Sequence, residues 1–84
     1  MKKHSYDDIR GIWFYQYGND FSGSEGLFNF KIIPRDNKLE VYVWYGQYCF
    51  QKSTPVAEDK FELTQSGLNQ VHDFLKIEFE KFNK

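Results

Sequence analysis

The side chains that could support covalent chemistry are a single cysteine and two histidines. Cys49 together with His4 or His72 supplies the residue types of a nucleophile and its base. No sequence signature surrounds Cys49, and no second histidine or cysteine lies three or four residues from either histidine, so we expect a packed cysteine and no zinc site. The carboxylate pairs at 7–8 and 58–59 are adjacent residues on polar segments and do not resemble the acid and base of a hydrolase. We therefore predict that the protein is not an enzyme and holds no cofactor.

A glycine-rich stretch, GNDFSGSEG at residues 18–26, could form either of two kinds of binding site, for a phosphate group or for a cation. A phosphate-binding loop needs Gly-Lys-Ser/Thr and a following helix, whereas here the next residues have strand character. Asp20 and Glu25 could contact a cation, but the alternating oxygen ligands of a calcium loop are missing. We interpret this stretch as a solvated hairpin loop.

The remaining chemistry is aromatic, because Phe, Trp and Tyr make up 20% of the chain. Residues 9–18, IRGIWFYQYG, are rich in β-branched and aromatic types and end at a glycine, which predicts a first strand. Residues 27–33, LFNFKII, alternate apolar and polar side chains and predict a second. PRDNK at 34–38 is dense in turn formers, so a hairpin to a third strand beginning at Leu39 should follow.

The third strand contains LEVYVWYGQY at residues 39–48, and its end has two interpretations. A single strand over 39–52 would be about 45 Å long, far beyond the usual length. Gly46-Gln47 suits a two-residue turn with glycine first, which would pair Val43 with Phe50 in a fourth strand. The alternative is a bulge at Gly46 in one long bent strand. We favour the turn.

The C-terminal third predicts a helix over residues 65–82 with Thr64 as its N-cap, preceded by a polar connector after Pro55. Five apolar residues fall on one helical stripe: Leu68, Val71, Leu75, Phe79 and Phe82. Phe74 and Ile77 lie outside that stripe and should be partly exposed. The fold predicted for residues 1–84 is a single small α+β domain, an antiparallel four-stranded meander (ββββα) with one C-terminal helix packed on one face.

One helix is too narrow to cover both faces of four strands. Phe28, Phe30 and Ile32 define the core face, so the opposite face should collect the aromatic surplus and be available to a partner. The residues predicted to bind that partner are Trp13, Tyr15, Tyr17, Lys31, Tyr42 and Trp44. Three alternatives remain open: a strand register shifted by one residue, closure of the sheet into a small barrel, and a loop folded over the open face.

Charge and composition narrow the class of partner. The formal net charge is −1, which lacks the basic footprint of a duplex-binding protein. A lone cysteine favours a reducing cytoplasm. No apolar run approaches the roughly 18 residues of a membrane helix, and the N-terminus does not resemble a signal peptide. The abundance of Phe, Tyr, Lys, Ile and Asn, against one alanine, indicates an AT-rich bacterial or phage genome.

The leading hypothesis is a non-enzymatic protein-binding module, of the accessory regulator or inhibitor type, which forms a homodimer or docks onto a larger partner through its aromatic sheet face. The first alternative is single-stranded nucleic-acid binding by base stacking, which the nearly neutral charge disfavours. The second is a carrier of a small apolar ligand held between sheet and helix.

Overall fold

A computed structural model describes residues 5–46 and 54–83 of the chain. A 3-10 helix (Ser5–Asp8) and a short helix α1 (Ile12–Gln16) precede strands β1 (Phe21–Glu25), β2 (Phe28–Arg35), β3 (Lys38–Tyr45) and β4 (Ala57–Glu62), and helix α2 (Gln65–Phe82) follows. The four strands form one open antiparallel sheet in the order β1-β2-β3-β4. The predicted fold class, an α+β meander of four strands with a C-terminal helix, is confirmed.

Two tight turns fix the register of the first three strands. Glu25 pairs with Phe28, so β1 and β2 are joined by a two-residue loop whose first residue, Gly26, has φ 62°. The turn after β2 consists of Asp36 (φ 53°) and Asn37 (φ 62°). Two successive left-handed residues are typical of a type I′ turn, whose twist matches that of the flanking strands. The hairpin predicted over 34–38 is therefore present.

The buried core lies on the face that the sequence predicted. Phe28, Phe30 and Ile32 alternate with half-buried residues along β2, and Val43 pairs with Phe30 in β3. Helix α2 contributes the apolar stripe expected of it. The fully or nearly fully buried members of these elements are Phe28, Phe30, Ile32, Leu39, Val41, Val43, Leu68, Val71 and Leu75.

Helix α2 begins and ends where the sequence predicted. The Thr64 hydroxyl oxygen accepts a hydrogen bond from the Gly67 amide at 3.1 Å, which satisfies one of the unpaired amides of the first turn. Gly67 is required for another reason, because a Cβ at this position would overlap the carbonyl oxygen of Glu62. The first turn of α2 thus packs directly on the backbone of β4.

Residues 9–18 are not a strand, and this prediction was wrong. Residues 12–16 form one and a half turns of helix, bounded by Gly11 as N-cap and by Gly18 with φ 88°. Strand propensity is weak when packing favours another conformation. The helical turn buries Tyr15 in the core and supplies cover beside α2 that a fifth strand could not.

The two edge strands also differ from the prediction. β1 lies inside the stretch interpreted as a loop, and β4 lies in the polar connector. Val43 pairs with Ala57 of β4, and its predicted partner Phe50 lies outside the described residues. The predicted turn residue Gln47 and the fourth strand predicted to follow it lie outside the described residues. An edge strand needs few apolar residues, since one of its borders meets solvent, which explains why composition alone concealed both strands.

The helical layer covers the core face in two parts. Helix α2 packs against β3 and β4, while the 3-10 helix and α1 pack over β1 and β2. Tyr6 of the 3-10 helix joins them, because its ring contacts His72 and Phe79 of α2 at centroid distances of 5.5 Å. The Cα atoms span only 16 Å in the thinnest direction, as expected for one sheet and one helical layer.

Candidate functional site

The six predicted partner-binding residues do not share one surface. Tyr15 belongs to the buried cluster on the core face, so α1 and its neighbours Trp13 and Tyr17 lie on the helical side of the sheet. Tyr42 and Trp44 alternate with the core residues of β3 and occupy the opposite face. Lys31 pairs with Tyr42 in the register and shares that second face. The prediction that all six residues lie on one aromatic face of the sheet is therefore wrong.

Two of the six residues are exposed aromatics on α1. Trp13 is 60% exposed and Tyr17, the residue that ends the helix, is 81% exposed. Positions four apart lie on the same side of a helix, whereas Tyr15 lies about 200° around from Trp13. The helical period therefore turns Tyr15 into the core and leaves the other two facing outward.

The ring of Trp13 belongs to a series of ring contacts that leads to the edge of the sheet. The ring of Trp13 meets Phe14 edge-on at 6.0 Å, and Phe14 meets Phe21 edge-on at 6.4 Å. Phe21 is the first residue of β1. The guanidinium of Arg10 lies 6.0 Å from the Phe14 ring centre and 5.9 Å from that of Phe21. Helix α1 is thus packed beside β1, with Trp13 two ring contacts away from the strand.

Tyr15 is a structural residue, which corrects its predicted role at the surface. Its side chain is fully buried, and its hydroxyl lies near the backbone of Arg10 but makes no hydrogen bond of good geometry in the described part of the chain. Burial raises the pKa of Tyr15 to about 12, against smaller opposing contributions from the backbone and the charge of Arg10. A neutral phenol at this depth fixes α1 to the sheet.

Trp44 is also a structural residue, because only 5% of it is exposed on the second face. It pairs with Asn29 across the β2–β3 ladder. The two N–H groups of the Asn29 side-chain amide are shared among the carbonyl oxygens of Leu27 (3.1 Å), Trp44 (3.3 Å) and Gly46 (2.9 Å), so that at least one N–H is bifurcated. These bonds join the β1–β2 turn to the end of β3. A buried indole cannot serve as the exposed anchor that the sequence predicted.

The rest of the second face is charged. Glu40 is buried there, accepts a hydrogen bond from the Tyr42 hydroxyl at 2.8 Å, and lies 3.5 Å from Arg35 and 3.9 Å from Lys60. The hydrogen bond to Glu40, followed by burial, raises the pKa of Tyr42. Lys31 is 3.6 Å from Asp20. Three basic residues of this face, Arg35, Lys60 and Lys31, therefore lie beside carboxylates.

Other candidate chemistry is limited. His72 Nε2 lies 2.6 Å from a carboxylate oxygen of Asp7, a contact that joins α2 to the 3-10 helix. Cys49 and His4 lie outside the described residues. Among residues 5–46 and 54–83, no three His, Cys, Asp or Glu side chains come together in a way that could hold a metal ion. An open groove of about 450 Å³ beside β4 is bordered by Tyr42, Glu58, Asp59 and Lys60.

One feature of the surface was missed by the sequence reasoning: the open edge of β1. Its central residues, Ser22-Gly23-Ser24, carry no charge, and among residues 5–46 and 54–83 they pair only with β2. Within the described ranges, no backbone hydrogen bond outside the ladder involves them. The sequence of β1 does show two serines placed symmetrically about a glycine. Because only one of its five residues is apolar, however, the pattern does not indicate a strand.

The chain matches no protein-family model, and comparison with curated proteins and with solved structures likewise finds no match. Within the part of the chain that the structure describes, no helix combines the length and the hydropathy that a bilayer span requires.

Proposed function

We propose that this protein is a non-enzymatic protein-binding module that docks through Trp13 and Tyr17 of α1 together with the neighbouring edge strand β1. The observation that carries the proposal is the exposure of both rings, 60% and 81%, on one side of a short helix. Aromatic side chains dominate the energetics of protein interfaces because they combine large contact area with few rotatable bonds.

The exposed pair has the size and rigidity of a docking anchor. At about 150–250 Å² per aromatic side chain, the two residues leave on the order of 300 Å² uncovered. Patches of this size on a monomer are often functional. Because Tyr15 fixes the same helix into the core, the backbone that carries the two rings is already ordered, and only side-chain freedom is lost when a partner packs against them.

The arrangement disfavours the two alternative functions. Base stacking would have used Trp13, Tyr15 and Trp44 on one platform, yet Tyr15 and Trp44 are buried and lie on opposite sides of the sheet. Three basic residues of the second face, Lys31, Arg35 and Lys60, lie beside Asp20 and Glu40. A carrier would need space between sheet and helices, where rings instead touch, as Phe28 and Phe79 do at 5.1 Å. We keep a cytoplasmic location as our expectation.

The two tryptophans allow a direct test. Replacing Trp44 with phenylalanine leaves Trp13 as the only indole, and its emission and its quenching by acrylamide then report on the proposed surface. We expect a blue shift and reduced quenching as the concentration of the purified protein is raised and the protein self-associates. A Trp13 that stays fully accessible over that range, in a protein that also co-purifies with no partner, would contradict the proposal.

A pair of variants separates this surface from general stickiness. Trp13→Ala/Tyr17→Ala removes the anchor, while Ile77→Ala removes a comparably exposed apolar residue, 53% exposed, on α2. In co-purification and light scattering, we expect the double variant to lose association by about 10-fold or more and the control to retain it. Circular dichroism should show that both remain folded. Equal behaviour of the two variants would argue against the proposed anchor.

A further inference from the structure

We infer that the partner is a second copy of this chain, which pairs antiparallel along β1 about Gly23 to form one continuous eight-stranded sheet. The inference rests on the proposed function in so far as α1 lies beside this edge. It goes further because it names the occupant, the strand that it binds and the register. Three observations support it, namely the chemistry of the edge, its internal symmetry and its charges.

The two edges of the sheet differ in their protection against pairing. β4 exposes Glu58, Asp59 and Lys60, and charged side chains on an edge strand discourage another strand from adding to it. β1 exposes Ser22 and Ser24 around Gly23, and none of these residues is charged. A strand edge whose central residues carry no charge, bulge or proline is open to addition of a strand.

The sequence of β1 is symmetric about its centre. In an antiparallel pair with a twofold axis at Gly23, Ser22 lies opposite Ser24 of the second copy, and Gly23 lies opposite Gly23. A closed dimer needs one surface patch that complements itself, and this register supplies one. Small residues at all three central positions also allow the two backbones to approach without steric conflict.

The same register brings opposite charges together. Phe21 and Glu25 lie on the core face of β1, and Phe21 would lie opposite Glu25 of the second copy. The guanidinium of Arg10 is 5.9 Å from the Phe21 ring centre, on that same face. Cross-strand neighbours are about 5 Å apart at Cβ, within reach of a long side chain. Each dimer would therefore hold two Arg10–Glu25 contacts between chains.

The exposed rings of α1 lie on the correct side of the sheet for this pairing. A twofold axis perpendicular to the sheet keeps both helical layers on one face. Because α1 packs near Phe21, it would lie beside the Glu25 end of β1 in the second copy, and the 3-10 helix packs on the same strand. Trp13 and Tyr17 would gain cover there. The pairing thus accounts for an open edge and an exposed aromatic pair with one partner.

The interface is small, so the dimer should be weak. A strand edge and about 300 Å² of aromatic surface per copy are well below the roughly 800 Å² per partner of a standard interface. We expect dissociation constants in the range of about 10 µM to 1 mM. Sedimentation equilibrium or light scattering should therefore extend to about 1 mM protein.

Two matched variants test the register. Ser22→Lys/Ser24→Lys places lysine opposite lysine at two positions of the dimer, whereas Ser22→Lys/Ser24→Glu places lysine opposite glutamate at both. Both variants contain Ser22→Lys, which places a lysine opposite Lys31 within one chain. The repulsion between these two lysines is therefore the same in both variants and cancels when they are compared. We expect the first variant to dissociate about 3- to 30-fold more readily than the wild type and the second to recover or exceed wild-type affinity.

The outcomes separate failure of the inference from failure of the proposed function. A dimer that responds equally to both serine variants would overturn pairing through β1, although loss on Trp13→Ala/Tyr17→Ala would still support the aromatic anchor. A wild type that remains monomeric to about 1 mM would overturn the inference. The proposed function would then be judged separately, by co-purification with Trp13→Ala/Tyr17→Ala against the Ile77→Ala control. Dimerisation with the expected ranking of the serine variants supports both.

Discussion

The two edges of the sheet are held to the rest of the molecule in different ways. At the β4 edge, the backbone of Glu62 contacts the first turn of α2 at Gly67, and the exposed side chains are charged. At the β1 edge, Gly23 packs under the ring of Phe30, and the exposed side chains are small and neutral. The β4 edge is thus anchored by backbone contact and protected by charge, whereas the β1 edge is held by contacts with aromatic rings and is left open.

This difference has a consequence for where function is expected. A rigid junction between β4 and α2 organises the aliphatic half of the core, which includes Leu68 and Leu75. The β1 half is covered by the 3-10 helix and α1 and is rich in aromatic contacts, such as Phe21 with Phe30 at 6.2 Å. Binding surfaces are commonly displayed on less protected elements positioned by a rigid scaffold. Breaking each anchor in turn tests whether the molecule divides in this way.

The largest effect is expected from Gly67→Ala. Alanine is the better helix former by about 1 kcal/mol, so propensity alone would predict stabilisation. The new Cβ would instead overlap the carbonyl of Glu62, and backbone cannot yield as a side-chain tip can. We expect a loss of about 3 kcal/mol in the free energy of unfolding, measured by urea titration. Ser66→Ala, an exposed neighbour, should change it by less than about 0.5 kcal/mol. A stabilised Gly67→Ala would show that β4 is not anchored here.

Gly23→Ala tests the opposite edge and should cost less. A Cβ at this position would lie 2.6 Å from the tip of the Phe30 ring, which is fully buried but can tilt. We expect a loss of about 1–3 kcal/mol in the same titration. Ser24→Ala, on the exposed face of the same strand, is the matched control. If Gly23→Ala and Ser24→Ala lower the free energy of unfolding equally, the Phe30 ring moves freely and its contact with Gly23 does not anchor the β1 edge.

The half of the molecule with clear periodicity was predictable from sequence. Burial can be predicted from two patterns, because each arises where one face of an element meets the core. These are the alternation along residues 28–32 and the 3.6-residue spacing of Leu68, Val71 and Leu75. Thr64 and the turn at 36–37 carry local chemistry that needs no knowledge of the tertiary fold. These signals correctly located β2, β3 and α2.

The β1 half gave no comparable signal. Helix α1 has five residues, too few for a period to be read, and its β-branched and aromatic composition favours strand on propensity alone. β1 has one large apolar residue, Phe21, so its pattern resembles a loop. Both elements exist because the other half leaves the core face of β1 and β2 uncovered, which is a tertiary requirement. The exposure of Trp13 and Tyr17 was expected, but on a strand and not on a helix.

An intermediate effect is expected at the junction that the sequence did identify. Thr64→Ala removes the hydroxyl oxygen that accepts from the Gly67 amide. We expect a loss of about 1 kcal/mol in the free energy of unfolding, and Thr64→Ser, which keeps the oxygen, should lose only a small fraction of that. At the β4 edge, the close approach at Gly67 should therefore contribute more to the free energy of unfolding than the Thr64 cap. A Thr64→Ser variant as unstable as Thr64→Ala would show that the methyl group, not the cap, is what matters.

The smallest effect at neutral pH, and one of opposite sign, is expected from Tyr15→Phe in the β1 half. The hydroxyl is buried without a hydrogen-bond partner in the described part of the chain, so its removal relieves a desolvation penalty and should leave the free energy of unfolding unchanged or raise it by up to about 1 kcal/mol.

Alkaline pH should enlarge this difference. The pKa of Tyr15 is raised from 10.0 to about 12 in the folded protein, so the unfolded chain loses this proton first. The contribution of Tyr15 to stability is complete below pH 10 and declines as the pH rises towards 12. Burial and nearby carboxylates also raise the pKa of Tyr6, and Glu40 raises that of Tyr42. The free energy of unfolding should therefore fall in this pH range for both the wild type and Tyr15→Phe. Urea titrations at pH 8 and at about pH 11 should show a steeper loss for the wild type than for Tyr15→Phe. Parallel losses would mean that the Tyr15 hydroxyl is hydrated in the folded state and that α1 is not sealed onto the sheet.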